Sequence, residues 1–490
     1  MIVTRTMSEA VRTNAQQARL SLTDEGDVLC KLNVGPRILT ASTIFLAALL
    51  CGLLAQAQTL DGLWLSDGGG MLFDIKGETV HVFEITSISC LPSWQAMGSA
   101  ATANGHNETV FTENAGMRRF TLDRAPNIAR FQSDCSTADI LFRKMQHSPK
   151  SYTEPIDNTP QADYAIFWQT FAENYPFFKL HHVDWADVDR EFRPRVTAET
   201  SPGELYRILR SMIEPLHDAH TSLKAPDLKQ QFRGSRADRN PLRYDDWVQS
   251  AVIIASKYVR GDMQYFCKNQ ISFGMLDNSI GYMKIWSFAN YTDAPDYAKQ
   301  LQALELALDT IFRDSGKLRG LVIDVRLNTG GYDGLGLSIA SRLAREDYLA
   351  YSVKTVNSTN GILHFTQPQA VWVHAGTRPG FHGNVVVLTG HNCVSAGETF
   401  VMSLMGRKPT VCRIGENTQG VFSDVLTRHL PNGWSFGLPN EIYLTEGGNA
   451  FDGSGVPPSL SVPVFPREDF QNKQDTALEK AVQVLSVPGN

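Results

Sequence analysis

The sequence has no strong excess of charge of either sign. Its 490 residues include 45 lysines and arginines against 51 aspartates and glutamates, which gives a net charge of -6 and a pI near 6.1. Proteins that bind nucleic acid or an anionic membrane surface usually carry a basic patch or stripe. We therefore expect no nucleic-acid partner.

Long apolar runs are also scarce. The longest, residues 38–55, follows Lys31 and Arg37 and ends in an Ala-Gln-Ala cleavage pattern. This predicts a signal peptide near residues 36–57, a mature chain that starts near Gln58, and export to the periplasm or the extracellular space. We expect no stable membrane insertion after cleavage, although a retained anchor is the alternative because the run approaches the length that spans a bilayer. The polar stretch before the run is unusual for a signal peptide, so translation is expected to begin within it.

Cysteine is rare, with seven in the chain. Five remain when Cys30 and Cys51, which precede the predicted cleavage site, are set aside. An odd number in an exported protein leaves at least one thiol free or bound to another chain. Cys90 and Cys135 could pair with each other or stay free. Cys393 is a conceivable nucleophile, but its place before a helix start favours a buried structural thiol.

The chain divides into five predicted segments. Residues 1–57 are the N-terminal extension with the signal peptide, and short alternating apolar stretches in residues 58–145 predict a small antiparallel β module. Residues 164–225 show helical periodicity, and residues 226–279 form a short insert. Strands alternate with helices in residues 280–490, which indicates an α/β core.

Two stretches of this core carry candidate chemistry. In the first, residues 384–406, a valine-rich strand runs into a turn and then a helix that begins at Ser395. The partial positive charge of a helix N-terminus suits a nucleophilic serine. The same Ser-Ala-Gly-Glu sequence is also a capping box, in which Ser395 and Glu398 only satisfy backbone N–H groups. Taken alone, the segment favours capping.

The second stretch, residues 320–331, is an apolar strand that ends in Asn-Thr-Gly-Gly. Gly330 and Gly331 would let backbone N–H groups point at a developing oxyanion, although ordinary turns have the same composition. Further upstream, His217 and His220 are spaced as metal ligands can be, but no third ligand lies near them in sequence. We expect no metal and no cofactor.

Together these stretches resemble the serine peptidases of the carboxyl-terminal processing, or tail-specific, family. The family's D-x-R-x-N-x-G-G element is matched by Asp324, Arg326, Asn328, Gly330 and Gly331. Its S-A-G-E element is matched by residues 395–398, its L-x-D-x-H-T element by residues 216–221, and its C-terminal pattern by residues 414–420 and 453–458. The resemblance covers residues 164–464.

The resemblance implies a fold and an activity. The fold is an α/β, ClpP/crotonase-like spiral core of ββα units, preceded here by the small antiparallel β module and a helical cap region. The activity is hydrolysis of peptide bonds in a peptide or protein substrate, through an acyl-enzyme on Ser395. Many relatives carry a peptide-binding PDZ domain where residues 226–279 stand, and this insert is too short for one.

The general base distinguishes the branches of the family. One branch uses a lysine downstream of the serine, but this sequence has no lysine between Lys408 and Lys473. Similarity to the tricorn-like, histidine-using branch instead implies that His220 is the base. The acid that orients it is then Asp452, with Glu446 as a nearby substitute.

The resemblance also assigns the oxyanion hole to the backbone N–H groups of Gly331, with Gly330 as a further candidate, and Ala396. The residues expected to support the turn and the helix start are Asp324, Arg326, Asn328 and Glu398. Two other functions remain as alternatives, a non-catalytic ligand-binding protein on the same fold and an esterase-type serine hydrolase.

Overall fold

The computed structural model describes residues 60–103, 106–113, 119–125, 127–133, 136–236, 242–277, 279–358 and 363–487. The predicted signal peptide, the inferred translation start and Cys135 lie outside these ranges. Cys90 is a buried free thiol, which agrees with the unpaired alternative. Among the residues described, no helix has the length and apolar character needed to cross a bilayer.

The N-terminal strands close into an antiparallel barrel. They are β1 (Gly62–Ser66), β2 (Met71–Lys76), β3 (Thr79–Ile85), β4 (Cys90–Ala103), β5 (His106–Glu113), β6 (Arg119–Ala125), β7 (Ile128–Ser133) and β8 (Ile140–Lys144). Each strand pairs with the next, and β1 pairs with β8 to close the ring. Phe73, Phe131 and Phe142 pack together in its interior. Because the barrel is closed, it leaves no strand edge exposed.

A helical region follows the barrel. Its helices are α1 (Lys150–Thr153), α2 (Pro160–Asn174), α3 (Trp185–Phe192) and α4 (Pro202–Ile213). At the start of α2, Thr159 accepts a hydrogen bond from the Ala162 N–H at 3.2 Å. Phe167 and Phe171 of α2 are buried against Phe436. This aromatic core fixes the helices against the sheet that follows His220.

That sheet has four strands in the order β10-β9-β20-β19. The strands are β9 (Ser222–Ala225), β10 (Gln230–Arg233), β19 (Val425–His429) and β20 (Ser435–Pro439). A smaller sheet of β15 (Tyr348–Thr355), β16 (Gln369–Val373) and β21 (Glu441–Leu444) lies elsewhere in the core. Since β9 comes from the helical region and β20 from the C-terminal part, the first sheet joins distant parts of the chain.

The central sheet has seven strands in the order β11-β12-β13-β14-β17-β18-β22. They are β11 (Arg260–Phe266), β12 (Ile271–Met275), β13 (Ile280–Ile285), β14 (Gly320–Asp324), β17 (Asn384–Thr389), β18 (Cys412–Gly415) and β22 (Leu460–Ser461). The strands from β13 onward are parallel, whereas β11 and β12 are antiparallel additions at one edge. The predicted mixed α/β core is therefore confirmed.

Helices cover both faces of this sheet, which explains its nearly continuous apolar strands. They are α5 (Tyr244–Ile253), α6 (Tyr297–Ile311), α7 (Asp333–Leu343), α8 (Ala396–Ser403), α9 (Arg467–Asn472) and α10 (Thr476–Ser486). Val385 and Val387 of β17 face one core cluster, and Val386 and Leu388 face the other. In a parallel sheet the segments that leave the carboxyl ends of neighbouring strands meet at one edge. The segments after β14 and β17 meet in this way and contain the two candidate stretches.

Candidate active site

Ser395 is the N-cap residue of α8 and has a backbone conformation that is unusual for a residue with a side chain. Its φ is 56° and its ψ is -125°. Such conformations cost about 1–3 kcal/mol and occur mainly where the surrounding structure imposes them, often at functional sites. The Ser395 N–H donates to the Val421 carbonyl oxygen at 3.0 Å, which holds the turn in place. A sharp strand-to-helix turn of this kind presents the nucleophile in other serine hydrolases.

Glu398 holds the same turn from within the helix. Its carboxylate accepts hydrogen bonds from the N–H groups of Ser395 (3.3 Å), Gly420 (2.6 Å) and Val421 (2.8 Å). The side chain is fully buried, and this burial raises its pKa to about 7. The contacts of Glu398 fit the supporting role that was expected of it.

The Gly330–Gly331 pair lies directly against the serine. A Cβ added to Gly330 would lie 2.9 Å from the Ser395 Cβ, and one added to Gly331 would lie 2.3 Å from the Phe288 backbone. The Gly330 N–H donates to Asn328 Oδ1 at 2.9 Å. The N–H groups of Gly331 and Ala396, in contrast, donate to no acceptor within the described ranges. These two donors are therefore available to a ligand, whereas that of Gly330 is engaged.

His220 is positioned by the aspartate two residues before it. Asp218 Oδ1 accepts the His220 backbone N–H at 2.9 Å, and Asp218 Oδ2 accepts the Tyr175 hydroxyl at 3.0 Å. Burial raises the pKa of Asp218 to about 6. Tyr175 follows the apolar face of α2, and no sequence motif indicates that its hydroxyl contacts Asp218.

His220 and Asp452 line one small cavity, together with Val421 and Ser423. His220 Nδ1 and both carboxylate oxygens of Asp452 are buried and have no partner at hydrogen-bond geometry in the described part of the chain. The backbone of Ser423 and that of Phe422 nevertheless lie close enough to shift the pKa values of His220 and Asp452, respectively. Burial lowers the pKa of His220 to about 4. Burial, followed by the charges of Glu398 and Asp218, raises the pKa of Asp452 well above its usual range. His220 is therefore neutral near pH 7.

Buried polar atoms without partners are uncommon and often mark functional sites. In the described ranges, no hydrogen bond joins His220 to Ser395 or to Asp452. The cavity nevertheless adjoins the serine, because its wall residue Val421 is the one that accepts the Ser395 N–H. Glu446, the substitute for Asp452, is exposed in a turn.

Arg236 was not identified from the sequence. Its guanidinium donates to the carbonyl oxygens of Gln419 (3.3 Å) and Gly453 (2.7 Å). It thereby joins the insert to the loop next to Asp452. An isolated arginine in a segment without periodicity gave no signal that could have singled it out.

Arg326 is the centre of a buried ion-pair network at the end of β14. It pairs with Asp324 through Nη2–Oδ2 (2.7 Å) and with Asp475 at the start of α10 through Nη1–Oδ1 (2.8 Å) and Nη2–Oδ2 (2.7 Å). Burial opposes ionisation of Asp324, but the charge and hydrogen bonds of Arg326 outweigh it and lower the pKa of that carboxyl to about 2. The network fixes the end of β14, from which the glycine turn continues.

Cys393 is fully buried two residues before Ser395. Burial, with the nearby charges of Glu398 and Asp324, raises the pKa of its thiol well above the usual range. The sulfur is therefore a thiol, which is a poor nucleophile. Within the described ranges, no three His, Cys, Asp or Glu side chains are grouped as metal ligands would be.

Comparison with known proteins places these features in a family. Residues 279–462 match Peptidase family S41, and residues 157–214 match the Tricorn protease C1 domain. The S41 match contains β14, β17, α8 and the turns that hold Ser395 and the glycine pair. No curated protein sequence matches the chain.

Several solved structures are similar to the chain. A candidate peptidase from Parabacteroides merdae is 26% identical, with a TM-score of 0.58 over 68% of this chain and 98% of that chain. Mature CPAF in complex with lactacystin is 10% identical, with a TM-score of 0.49 over 67% and 97% of the two chains. The photosystem II D1 C-terminal processing protease is 13% identical, with a TM-score of 0.41 over 68% and 98%. Residues 279–462 of this chain are thus similar to peptidase family S41, and the protein is a serine-type peptidase similar to the tail-specific proteases.

Proposed function

We propose that the protein hydrolyses peptide bonds through an acyl-enzyme on Ser395, with His220 as general base and Asp452 as the acid that orients it. The observation that carries this assignment is the pair of unpartnered groups in one cavity, His220 Nδ1 and the Asp452 carboxyl. A donor and an acceptor that are both buried and unused next to the serine suit a triad that closes around substrate. Catalytic hydrogen bonds are often long in unliganded enzymes and tighten when the substrate binds.

The reaction follows from these positions. His220 takes the proton of the Ser395 hydroxyl as Oγ bonds to the substrate carbonyl carbon, and the N–H groups of Gly331 and Ala396 stabilise the oxyanion. When the C–N bond breaks, His220 gives the proton to the leaving amine. A water molecule, deprotonated by His220, then attacks the acyl-enzyme and releases the carboxylic acid product and free Ser395.

The role of Asp452 follows from charge compensation. Burial raises the pKa of Asp452, because it disfavours a lone carboxylate. An imidazolium at His220 would lower that pKa again, because a neighbouring positive charge favours the ionised carboxyl. Asp452 would then hold the imidazole ring in one orientation and stabilise its charge during the reaction.

We further propose that the core follows the ClpP/crotonase-like spiral and that the protein is exported. The alternation of parallel strands and helices from β13 to β22 supports the first proposal. The apolar run at residues 38–55, with its cleavage pattern, supports the second. N-terminal sequencing of the mature protein should find a start near Gln58, and a mature chain that retains the run would contradict export by cleavage.

A fluorophosphonate probe followed by mass spectrometry tests the catalytic assignment. We expect one adduct on Ser395 in the wild type, none in Ser395→Ala, and a labelling rate about 10²–10⁴ times lower in His220→Ala. Asp452→Asn should also slow labelling, whereas the matched control Glu446→Gln, at an exposed residue of the same loop, should not. A folded wild type that stays unlabelled would contradict the proposal and favour a ligand-binding protein.

A further inference from the structure

We propose that a groove beside Ser395 is a subsite for a large apolar side chain of the substrate, and that the short insert in place of a PDZ domain forms its wall. This inference rests on the proposed peptidase function. The groove has a volume of about 530 Å³, within the size range of small-ligand sites. This insert groove is lined by Trp247, Val248, Val252, Tyr265, Trp286 and Thr329, together with the polar residues 268–270.

The groove is continuous with the candidate active site. Thr329, at one end of it, directly precedes Gly330, which lies against the Ser395 Cβ. The Thr329 N–H and hydroxyl both donate to the Trp286 carbonyl oxygen, at 2.9 Å and 3.3 Å. These two hydrogen bonds hold Thr329, at the start of the glycine turn, against Trp286 of the groove. A peptide bound across the glycine turn can place a neighbouring side chain in the groove.

A hydrogen bond also joins the wall of the insert groove to the turn before Ser395. The Leu242 N–H, just before α5, donates to Asn392 Oδ1 at 3.2 Å, in the turn that leads to Ser395. Since α5 carries Trp247, Val248 and Val252, the position of the wall is linked to that of the nucleophile. The insert is thus attached to the catalytic turn by a specific hydrogen bond.

The chemistry of the groove suits an apolar group. Val248, Val252 and Tyr265 are 47%, 60% and 59% exposed, and the rings of Trp247 and Trp286 lie 6.2 Å apart. Large apolar side chains grouped on a concave surface indicate a binding site rather than random exposure. Aromatic rings contribute large contact areas with little loss of side-chain entropy.

Besides the polar residues 268–270, the groove contains a buried hydrogen-bond donor. The indole N–H of Trp247 is buried and has no acceptor among the described residues. A buried donor without an acceptor is uncommon, and a peptide carbonyl that enters the groove would supply one. A groove that combines an apolar wall with several polar groups fits a peptide segment better than it fits a lipid chain, which has no polar groups along its length to pair with them.

The test uses the full-length mature enzyme and internally quenched peptides that differ at one position, Phe, Leu, Ser or Asp. Fluorophosphonate labelling of Ser395 measures the amount of active enzyme in each preparation. Val252→Asp places a charge in the insert groove. The matched control is Leu306→Asp, because Leu306 is a similarly exposed residue, at 61%, on helix α6 outside the groove.

We expect the wild type to cleave the Phe and Leu peptides at least about tenfold faster, in kcat/KM, than the Ser peptide. Val252→Asp should lose most of this preference with unchanged labelling of Ser395, and Leu306→Asp should keep it. A preference that survives in Val252→Asp, or none in the wild type, would overturn the subsite while leaving the peptidase intact. So would a Val252→Asp variant whose only change is a smaller oligomer, since the groove would then contact a second copy. Absence of labelling at Ser395 in folded protein would instead overturn the proposed function, and the subsite with it.

Discussion

The carboxylate of Glu398 accepts the backbone N–H of Ser395 at 3.3 Å while it also accepts two N–H groups from residues 420–421. The capping interpretation and the catalytic interpretation of the Ser-Ala-Gly-Glu sequence are therefore compatible. Glu398 stabilises the helix start, and the same hydrogen bonds set the strained conformation of Ser395. In this protein the helix cap is part of what positions Ser395, the proposed nucleophile.

Replacing Glu398 by Gln keeps the shape of the side chain but replaces one of its two hydrogen-bond acceptor oxygens by an NH₂ group. One or more of the three N–H donors loses its partner, so we expect the free energy of unfolding to fall by about 1–3 kcal/mol. The rate of fluorophosphonate labelling should fall as well, because the turn at Ser395 loosens. Urea unfolding and labelling kinetics measure the two effects. Equal behaviour of Glu398→Gln and the exposed control Glu446→Gln would contradict this prediction.

The strained backbone at Ser395 predicts different stabilities for two substitutions that both remove the hydroxyl. Ser395→Ala keeps a Cβ in the disfavoured backbone conformation, whereas Ser395→Gly removes it. We expect Ser395→Gly to be more stable than Ser395→Ala by about 1 kcal/mol, with both unlabelled by the probe. Thermal unfolding of the two variants side by side gives the difference. If Ala were the more stable variant, the backbone at Ser395 would not be strained.

The pKa of His220 predicts an unusual pH profile. Because burial lowers this pKa to about 4, the imidazole stays neutral and able to accept a proton well below pH 6.5. Glu398, with a pKa of about 7, also titrates in this range, so the profile is best measured in Glu398→Gln. In that variant the rate of Ser395 labelling should stay flat from about pH 8 to pH 5 and fall to half near pH 4. A midpoint between pH 6 and 7 in Glu398→Gln, as for an exposed histidine, would contradict the burial of His220 in the active enzyme.

The same pKa has a consequence for stability. The unfolded chain protonates this histidine near pH 6.5, while the folded state resists protonation until about pH 4. The free energy of unfolding therefore falls as the pH is lowered through this window. His220→Gln should show a smaller fall than the wild type when urea midpoints are compared between pH 7 and pH 4.5.

The buried network of Arg326 should contribute strongly to stability. Arg326→Leu leaves Asp324 and Asp475 buried without their cation, and we expect a loss of about 3–5 kcal/mol in the free energy of unfolding. Arg319, which forms an exposed pair with Asp277, is the matched control, and its replacement by Leu should cost about 1 kcal/mol or less. Similar urea midpoints for the two variants would show that the buried network is not essential.

Short-range patterns in the sequence identified much of the candidate site. Ser395, the Gly330–Gly331 pair and His220 each lie in a compact motif whose residues are within a few positions of one another. The alternation of strands and helices predicted the mixed α/β core for the same reason, because apolar periodicity is a local property. Local backbone conformation and local burial follow from neighbouring residues, so a linear pattern can reveal them.

Other features depend on contacts between residues that are far apart in the chain. Closure of the barrel requires β1 to pair with β8, and Arg326 finds its second carboxylate 149 residues away in Asp475. Arg236 reaches the loop of Asp452, and α5 meets Trp286 to form the insert groove. The sequence by itself identified the candidate nucleophile, the glycine turn and the α/β class of fold, since these depend on local conformation. Only the tertiary structure decided which groups are buried, partnered or left free around Ser395, because burial and pairing arise when distant segments pack together.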